Sequence, residues 1–471
     1  MKKFEGKISA TAFSNVLFLA GGTAAAQAIN IIVAPVLSRL YSPSDFGTLA
    51  LYSAFLGILC GFTGLSYYLA IPLPENENDA KALCYLCIFV HIVLTLFVVL
   101  ALSFGDLVFF SRYGWESVYR YKWLIPAGFL GSGTYTILTY YVLRLEGFRD
   151  ISRTSLTQKA WGAGVSVSCG LLSGGGGGLI WGHIVSLSSG ITTLVKSSRR
   201  RVDHSSIDFP KLWVVAKRYK GFALYQNWGS ILNSLNSYLP PLAMALFFSP
   251  VIVGWYSFSL RVLQLPLGVV GKAIGQVFFQ RGSVTFREGR LGDTTERYVE
   301  SLIMIGTFPF FYLGLFAPDL FSFFFGQAWH EAGKITQQLF PFLWMQFIAS
   351  TVSSVFFVKE KLRLSLLMPS LFLFSFFVIL YLGRSWSYLS FFLAIGVVKA
   401  ILYFAYLLLV LKISGTSTFR VIWKLLKDIL LSALLVLPIF VVHGDTVLFI
   451  LLSGIVGLIW LFLMKKRIAG Q

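Results

Sequence analysis

Fourteen stretches of about 20 apolar residues, separated by short polar connections, decide most of what this chain can fold into. They fall near 14–38, 46–71, 82–104, 121–143, 156–173, 179–195, 221–248, 251–280, 299–325, 335–357, 364–382, 387–411, 420–441 and 446–464. Each is long enough to cross ~30 Å of hydrocarbon as a helix. Composition agrees: 13% of residues are charged and 56% hydrophobic, whereas soluble domains carry about 25% charged residues. The predicted fold class is an all-α polytopic membrane protein of about 14 transmembrane helices. The basic start MKKFEGK leads into a long segment carrying Gln27 and Asn30, without a cleavage site, and reads as the first helix rather than a leader. No gap exceeds about 25 residues, which leaves no room for a soluble catalytic domain.

A net charge of +19 would suit nucleic acid if it formed one face. Instead the charges sit in short segments between apolar runs, the pattern of insertion and anionic-lipid contact. With the N-terminus inside, the inner segments hold 30 of the Lys and Arg residues. The outer segments hold six: Arg39, Arg112, Arg120, Lys122, Lys334 and Arg384. One missed span would invert this asymmetry, so both termini are expected in the cytoplasm. Arg261, Lys272 and Lys399 remain at membrane depth. The glycine run Gly174 to Gly178 suits a tight outer hairpin. The longest inner connection, 196–220, suits a short helix capped by Asp208 with Pro210 in its first turn. That helix would turn Leu212, Trp213 and Val215 toward the bilayer and Lys211, Lys217 and Arg218 toward lipid phosphates; a solvated basic linker is the alternative.

The connection lies near the middle of the first twelve helices, and an internal echo supports two six-helix lobes. Tyr41-Ser42-Pro43-Ser44-Asp45-Phe46-Gly47 precedes the second helix, and Phe248-Ser249-Pro250-Val251-Ile252-Val253-Gly254 the eighth. Both read aromatic-Ser-Pro-x-x-x-Gly, at equivalent points of two six-helix units. The expected organisation is an N-terminal lobe 1–196, a cytoplasmic linker 197–220, a C-terminal lobe 221–411 and two further helices in 412–471, with a central cavity between the lobes.

Polar residues at membrane depth mark the candidate site, because an uncompensated charge there costs at least ~2.5 kcal/mol. The eighth span carries Arg261, Gln264, Gly268, Lys272 and Gln276 as one helical stripe. The seventh carries Asn227, Ser230, Ser234 and Ser237, with Asn233 and Asn236 beside them, and the first carries Gln27 and Asn30. Such amides and hydroxyls either glue helices together or line a hydrated cavity. The Arg261 and Lys272 stripe points to a cavity, and Lys399 is open between cavity and structural pairing. Asp45, Asp106, Asp319 and Asp445 lie near outer helix ends, Glu146 and Asp428 near inner ones. A net positive cavity suits an anion, most naturally a phosphate or pyrophosphate.

The run Ser38-Arg39-Leu40-Tyr41-Ser42-Pro43-Ser44-Asp45-Phe46-Gly47, followed by Ala70-Ile71-Pro72-Leu73-Pro74, resembles the N-terminal signature of bacterial O-antigen and capsule oligosaccharide flippases. These are polysaccharide transporters of the multidrug/oligosaccharidyl-lipid/polysaccharide exporter superfamily. The resemblance implies two lobes around a cationic cavity lined mainly by helices one, two, seven and eight. It implies flipping of undecaprenyl-pyrophosphate-linked glycan units across the bacterial inner membrane during polysaccharide or lipopolysaccharide biosynthesis. It further implies Gln27, Asn30, Asn227, Arg261 and Lys272 at the cavity, with Gln264 and Lys399 as further candidates for substrate binding. No cofactor is expected beyond a coupling proton or sodium gradient. Membrane lipids, a polysaccharide polymerase and a chain-length regulator are the implied partners, and nucleic acid is not. One departure is that the second span has Gly57, Gly61 and Gly64 and no mid-membrane Arg.

Arg39 and Asp45 are placed to close the outer hairpin by a salt bridge, as a gate or structural pair rather than a substrate contact. Pro35, Pro240, Pro241 and Pro266 are expected to kink helices one, seven and eight. Cys84-x-x-Cys87 lacks a second ligand pair, so metal or redox use is not expected; Cys60 and Cys169 read as packing residues. His91 reads as a core or lipid-edge residue. No catalytic residues are assigned. Two other functions remain open. A drug or small-molecule antiporter of the same superfamily would want an intramembrane acid. A membrane polymerase or ligase would want a large outer loop, and the largest, 105–120, is short.

Overall fold

The computed structural model describes residues 10–173, 175–201, 209–441 and 446–469. These residues are overwhelmingly helical, and each expected span is mostly helix, several of them with a break. The chain runs α1 (Ala10–Leu40), α2 (Pro43–Cys60), α3 (Glu77–Ser103), α4 (Leu124–Arg144), α5 (Phe148–Ser173), α6 (Gly177–Ser188), α7 (Ile191–Arg201) and α8 (Phe209–Arg218). It continues as α9 (Asn227–Met244), α10 (Pro250–Leu263), α11 (Lys272–Arg287), α12 (Leu291–Phe325), α13 (His330–Thr351), α14 (Leu362–Leu382), α15 (Tyr388–Ser414), α16 (Thr418–Val441) and α17 (Thr446–Ala469). Among the described residues, seven helical stretches are individually long and apolar enough to cross a membrane, Glu77–Ser103, Leu291–Phe325 and Tyr388–Ser414 among them. The fold is that of an all-α, multi-pass membrane protein.

The chain divides into two compact units, Met1–Ser257 and Phe258–Gln471. This boundary falls inside α10, whereas the lobes read from the internal echo part at the 197–220 linker. The physical reason is that α9 packs along α2 and so joins the first unit. There Gly57 meets the ring of Tyr238, and Gly61 meets Ser234 and Ile231. Small residues on α2 allow this close approach, as is usual for helices packing in lipid.

Local chemistry sets the helix ends. Ser42 caps α2 through a capping box: its side chain accepts from the Asp45 N–H, and Asp45 accepts from the Ser42 N–H at 2.9 Å. Pro43 then occupies the first helical turn. Ser387 caps α15, and Gly415 ends it in the left-handed region at φ 84°.

The two copies of the aromatic-Ser-Pro-x-x-x-Gly turn touch reciprocally inside the first unit. A Cβ at Gly47 would lie 1.9 Å from the Pro250 carbonyl oxygen, and a Cβ at Gly254 would lie 1.9 Å from the Pro43 carbonyl oxygen. Only glycine permits backbones to approach so closely. The connection between α3 and α4 grips the same region. The Trp115 indole N–H donates to the Leu242 carbonyl at 3.1 Å, and Gly114, at φ 71°, lies against the Ala245 carbonyl. Trp115 is packed edge-on against Phe55 and stacked on Tyr113.

The connection over 196–220 differs from the expectation for a lipid-facing helix. Asp208 lies outside the described residues. In α8, Val215 is buried in the core of the first unit with Leu83, Cys87 and Tyr67 rather than turned to the bilayer. Lys211 pairs with Asp79 at 3.0 Å instead of reaching for lipid phosphate. Trp213, 77% exposed, keeps an outward apolar face beside the exposed Lys217 and Arg218.

Candidate substrate-binding site

The second and eighth spans are interrupted helices, and both interruptions bear on the candidate residues. After α2 the chain passes through a short 3₁₀ stretch, Thr63–Ala70, in which Gly64, Leu65 and Ser66 are left-handed at φ 48°, 47° and 60°. Two non-glycine residues in that region store strain that the surroundings must hold. The hold is visible: Ser66 is fully buried and donates to Asn227 Oδ1 at 3.2 Å, with the Ser230 hydroxyl at 3.3 Å. Asn227 is 6% exposed. It therefore takes the glue role rather than that of an open cavity residue.

The eighth span is α10, a π-turn over Leu267–Gly271, then α11. Pro266 lacks the N–H that a continuous ladder requires at the break. The π-turn shifts helical register, so the even stripe from Arg261 to Gln276 is two short rows. Arg261 and Gln264 lie on the first, and Lys272 and Gln276 on the second; all four are exposed. Neither Arg261 nor Lys272 has an ion-pair partner among the described residues, where the ion pairs involve Lys211, Arg218, Arg290, Lys334 and Arg420. The Lys399 ammonium lies 5.1 Å from the centre of the Phe342 ring, a cation–π contact between α15 and α13 inside the second unit.

On α1, Asn30 donates to the Gln27 side chain at 3.3 Å, and both residues are half-buried. Arg39 is exposed and forms no ion pair with Asp45 among the described residues. The expected bridge is replaced by the capping box, because Asp45 Oδ2 already accepts from the Ser42 N–H and hydroxyl, the latter at 2.7 Å. His91 is a core residue, with its Nε2 3.0 Å from the Phe129 carbonyl and its ring edge-on to Phe129. Cys84 and Cys87 are buried free thiols.

Two features escape the sequence reading. Asp428 is buried at 3% exposure, lining with Thr307, Ser432 and Trp460 a cavity of about 10 Å³, the room of one water. The Trp115 contact with Leu242 is the second; the aromatic richness of Tyr113-Gly114-Trp115 was its only signal.

Interrupted helices, intramolecular polar rows and close glycine packing define a polytopic helical membrane protein. The chain belongs to the polysaccharide biosynthesis protein family, whose family model matches residues 36–334. Its fold is similar to that of the lipid II flippase MurJ in an inward closed conformation, with TM-score 0.74 and 14% identity over 96% of this chain and 100% of that one. It is also similar to a multidrug resistance MATE family transporter of the MOP superfamily in an inward-facing conformation, with TM-score 0.55 and 13% identity over 84% and 95% of the two chains. No curated protein sequence matches the chain.

Proposed function

We propose that this protein flips undecaprenyl-pyrophosphate-linked oligosaccharide units from the cytoplasmic to the periplasmic leaflet of the bacterial inner membrane. The observation that carries the reading is the pair of exposed deep cations, Arg261 and Lys272, without ion-pair partners among the described residues, in a chain of the polysaccharide biosynthesis family. The fold shared with a lipid II flippase supports it. A pyrophosphate and its sugars cannot cross ~30 Å of hydrocarbon unaided, while a polyprenyl tail can stay in lipid. A guanidinium and an ammonium at different depths can receive the pyrophosphate in turn. Gln264, Gln27, Asn30 and Lys399 are proposed to line the path, and Asn227 to hold it from behind. Two six-helix lobes rock about the substrate, and the reciprocal Pro43–Gly254 and Pro250–Gly47 contacts close the outer side. The termini are cytoplasmic, and a proton or sodium gradient drives the cycle. A polymerase and a chain-length regulator are the proposed partners in using the flipped unit for O-antigen, capsule or another surface glycan.

Deleting the gene tests this. The lipid-linked unit should build up on the cytoplasmic leaflet while surface polysaccharide disappears and synthesis of the unit at first continues. Single units accumulating on the periplasmic face would point to a polymerase and overturn the flippase assignment.

A further inference from the structure

The α9 helix carries three distinct faces, and one of them has no structural employment. At about 100° per residue, Asn227, Ile231, Ser234 and Tyr238 share the face that packs on α2 and the Ser66 turn. Trp228 and Leu232, 65% and 55% exposed, share a second face with Tyr225 in the preceding π-turn; this apolar surface suits lipid. Gln226, Asn233 and Ser237 share a third, roughly 110–130° from either, and all three are exposed. Gly229 is exposed beside them, and Ser230 is half-buried at the border.

This third face is polar from residue 226 to 237, a rise of ~17 Å in a ~30 Å membrane. Among the described residues neither the Gln226 nor the Asn233 side chain makes a hydrogen bond, and Ser237 bonds only back to the Asn233 carbonyl at 3.0 Å, which leaves its oxygen able to accept. A glue function would require partners on a neighbouring helix, as Asn227 has in Ser66. Lipid is an unfavourable neighbour for unsatisfied amides. The face is thus suited to water or to a polar, uncharged ligand. Paired donors and acceptors on amides and hydroxyls match the adjacent hydroxyls of a sugar ring, whereas they offer a pyrophosphate no charge.

We propose that Gln226, Asn233 and Ser237 form a glycan-reading row, which hydrogen-bonds sugar hydroxyls and selects the oligosaccharide while the cations hold the pyrophosphate. This assignment rests on the flippase reading. It divides the substrate between two sets of residues, so it predicts that sugar recognition and pyrophosphate recognition can be lost separately.

Two measurements test the row. In protein whose Cys60, Cys84, Cys87 and Cys169 are replaced by serine or alanine, single cysteines at Asn233 and Ser237 should react with a water-soluble thiosulfonate at least about tenfold faster than cysteines at Ile231 and Leu232. Equal rates would show that the face is not hydrated and would overturn the proposal. In reconstituted protein, binding is then compared for undecaprenyl pyrophosphate alone and for the same lipid bearing the oligosaccharide extracted from the producing organism. The Gln226→Ala/Asn233→Ala/Ser237→Ala variant should weaken binding of the glycosylated lipid about tenfold or more, with less than about a twofold change for the bare carrier; roughly one hydrogen bond's worth is lost at each position. Asn233→Ser, a milder change, should show a smaller loss with the same selectivity and guards against a folding defect. Equal losses for both lipids, or no loss for either, would overturn the row and leave the flippase reading standing. Failure of the unaltered protein to bind the glycosylated lipid would overturn both.

Discussion

Gly47→Ala places a methyl group where there is no room for one. Its Cβ would sit 1.9 Å from the Pro250 carbonyl oxygen, with Gly254 N at 3.3 Å, while an ordinary carbon–oxygen contact is about 3.4 Å. The two turns must separate by ~1.5 Å to accommodate it. Overpacking of this kind costs about 1–3 kcal/mol, equivalent to a roughly 5- to 150-fold shift away from the arrangement in which the two turns touch. Gly254→Ala repeats the perturbation from the other side, against the Pro43 carbonyl. Because the residues share one contact, the double variant should cost less than the sum of the singles. Spin labels at Ser44→Cys and Val251→Cys report the separation by pulsed electron-spin resonance. Wild type should give one short distance, and either alanine variant a second, longer population. Gly164→Ala is the control, because nothing lies within 4 Å of its added Cβ. Unchanged distances and unchanged export in both Gly47→Ala and Gly254→Ala would refute the close-contact reasoning.

Arg261→Ala and Lys272→Ala should each abolish surface polysaccharide while leaving membrane insertion intact, and Arg261→Lys should retain part, since charge survives but the bidentate fork does not; immunoblots of surface glycan and membrane fractions check both. Trp115→Phe removes the 3.1 Å hydrogen bond to Leu242 but keeps most of the ring packing, so unfolding of the purified protein should shift by ~1 kcal/mol, with faster amide exchange in the connection between α3 and α4; equal exchange would show that this hydrogen bond does not hold the connection. Asp79→Asn weakens the pairs with Lys211 and Arg218; these are partly exposed, so a loss of no more than ~1 kcal/mol is expected, visible as faster exchange over α8 while its Val215 anchor persists. A periplasm-active reporter should be live at Gly175 or His330 and silent at Lys361 or Arg200; activity at Arg200 would refute the helix count.

The spans were legible because apolar length is a local property that survives any tertiary arrangement. The Ser-Pro-x-x-x-Gly echo was legible as a repeat, and its reciprocal contact gives that repeat a physical meaning: each proline carbonyl meets the other copy's glycine. Side-chain direction was less legible. Asn227 and Ser237 sit on one sequence stripe, yet the first is buried against Ser66 and the second is exposed, because ten residues of helix rotate ~80° off an even stripe and packing uses every degree. The π-turn at Leu267–Gly271 divides the Arg261–Gln276 stripe and leaves only Pro266 as its trace in sequence. Arg39 and Asp45 looked like a bridge because charge suggests partners at a distance, whereas Ser42 offered Asp45 two nearer donors. The sequence places Asp428 only near a helix end, because its burial depends on Thr307 and Trp460, more than 30 residues distant on either side.

Reconstitution into sealed vesicles tests the central claim most directly. Undecaprenyl-pyrophosphate-linked oligosaccharide, distributed across both leaflets, is exposed to a membrane-impermeant enzyme that destroys the glycan. With the protein present, the whole pool should become accessible within minutes; with Arg261→Ala, or without protein, about half should remain protected. Protection of half the pool in vesicles that contain folded wild-type protein, under an imposed proton or sodium gradient of either direction, would contradict the account.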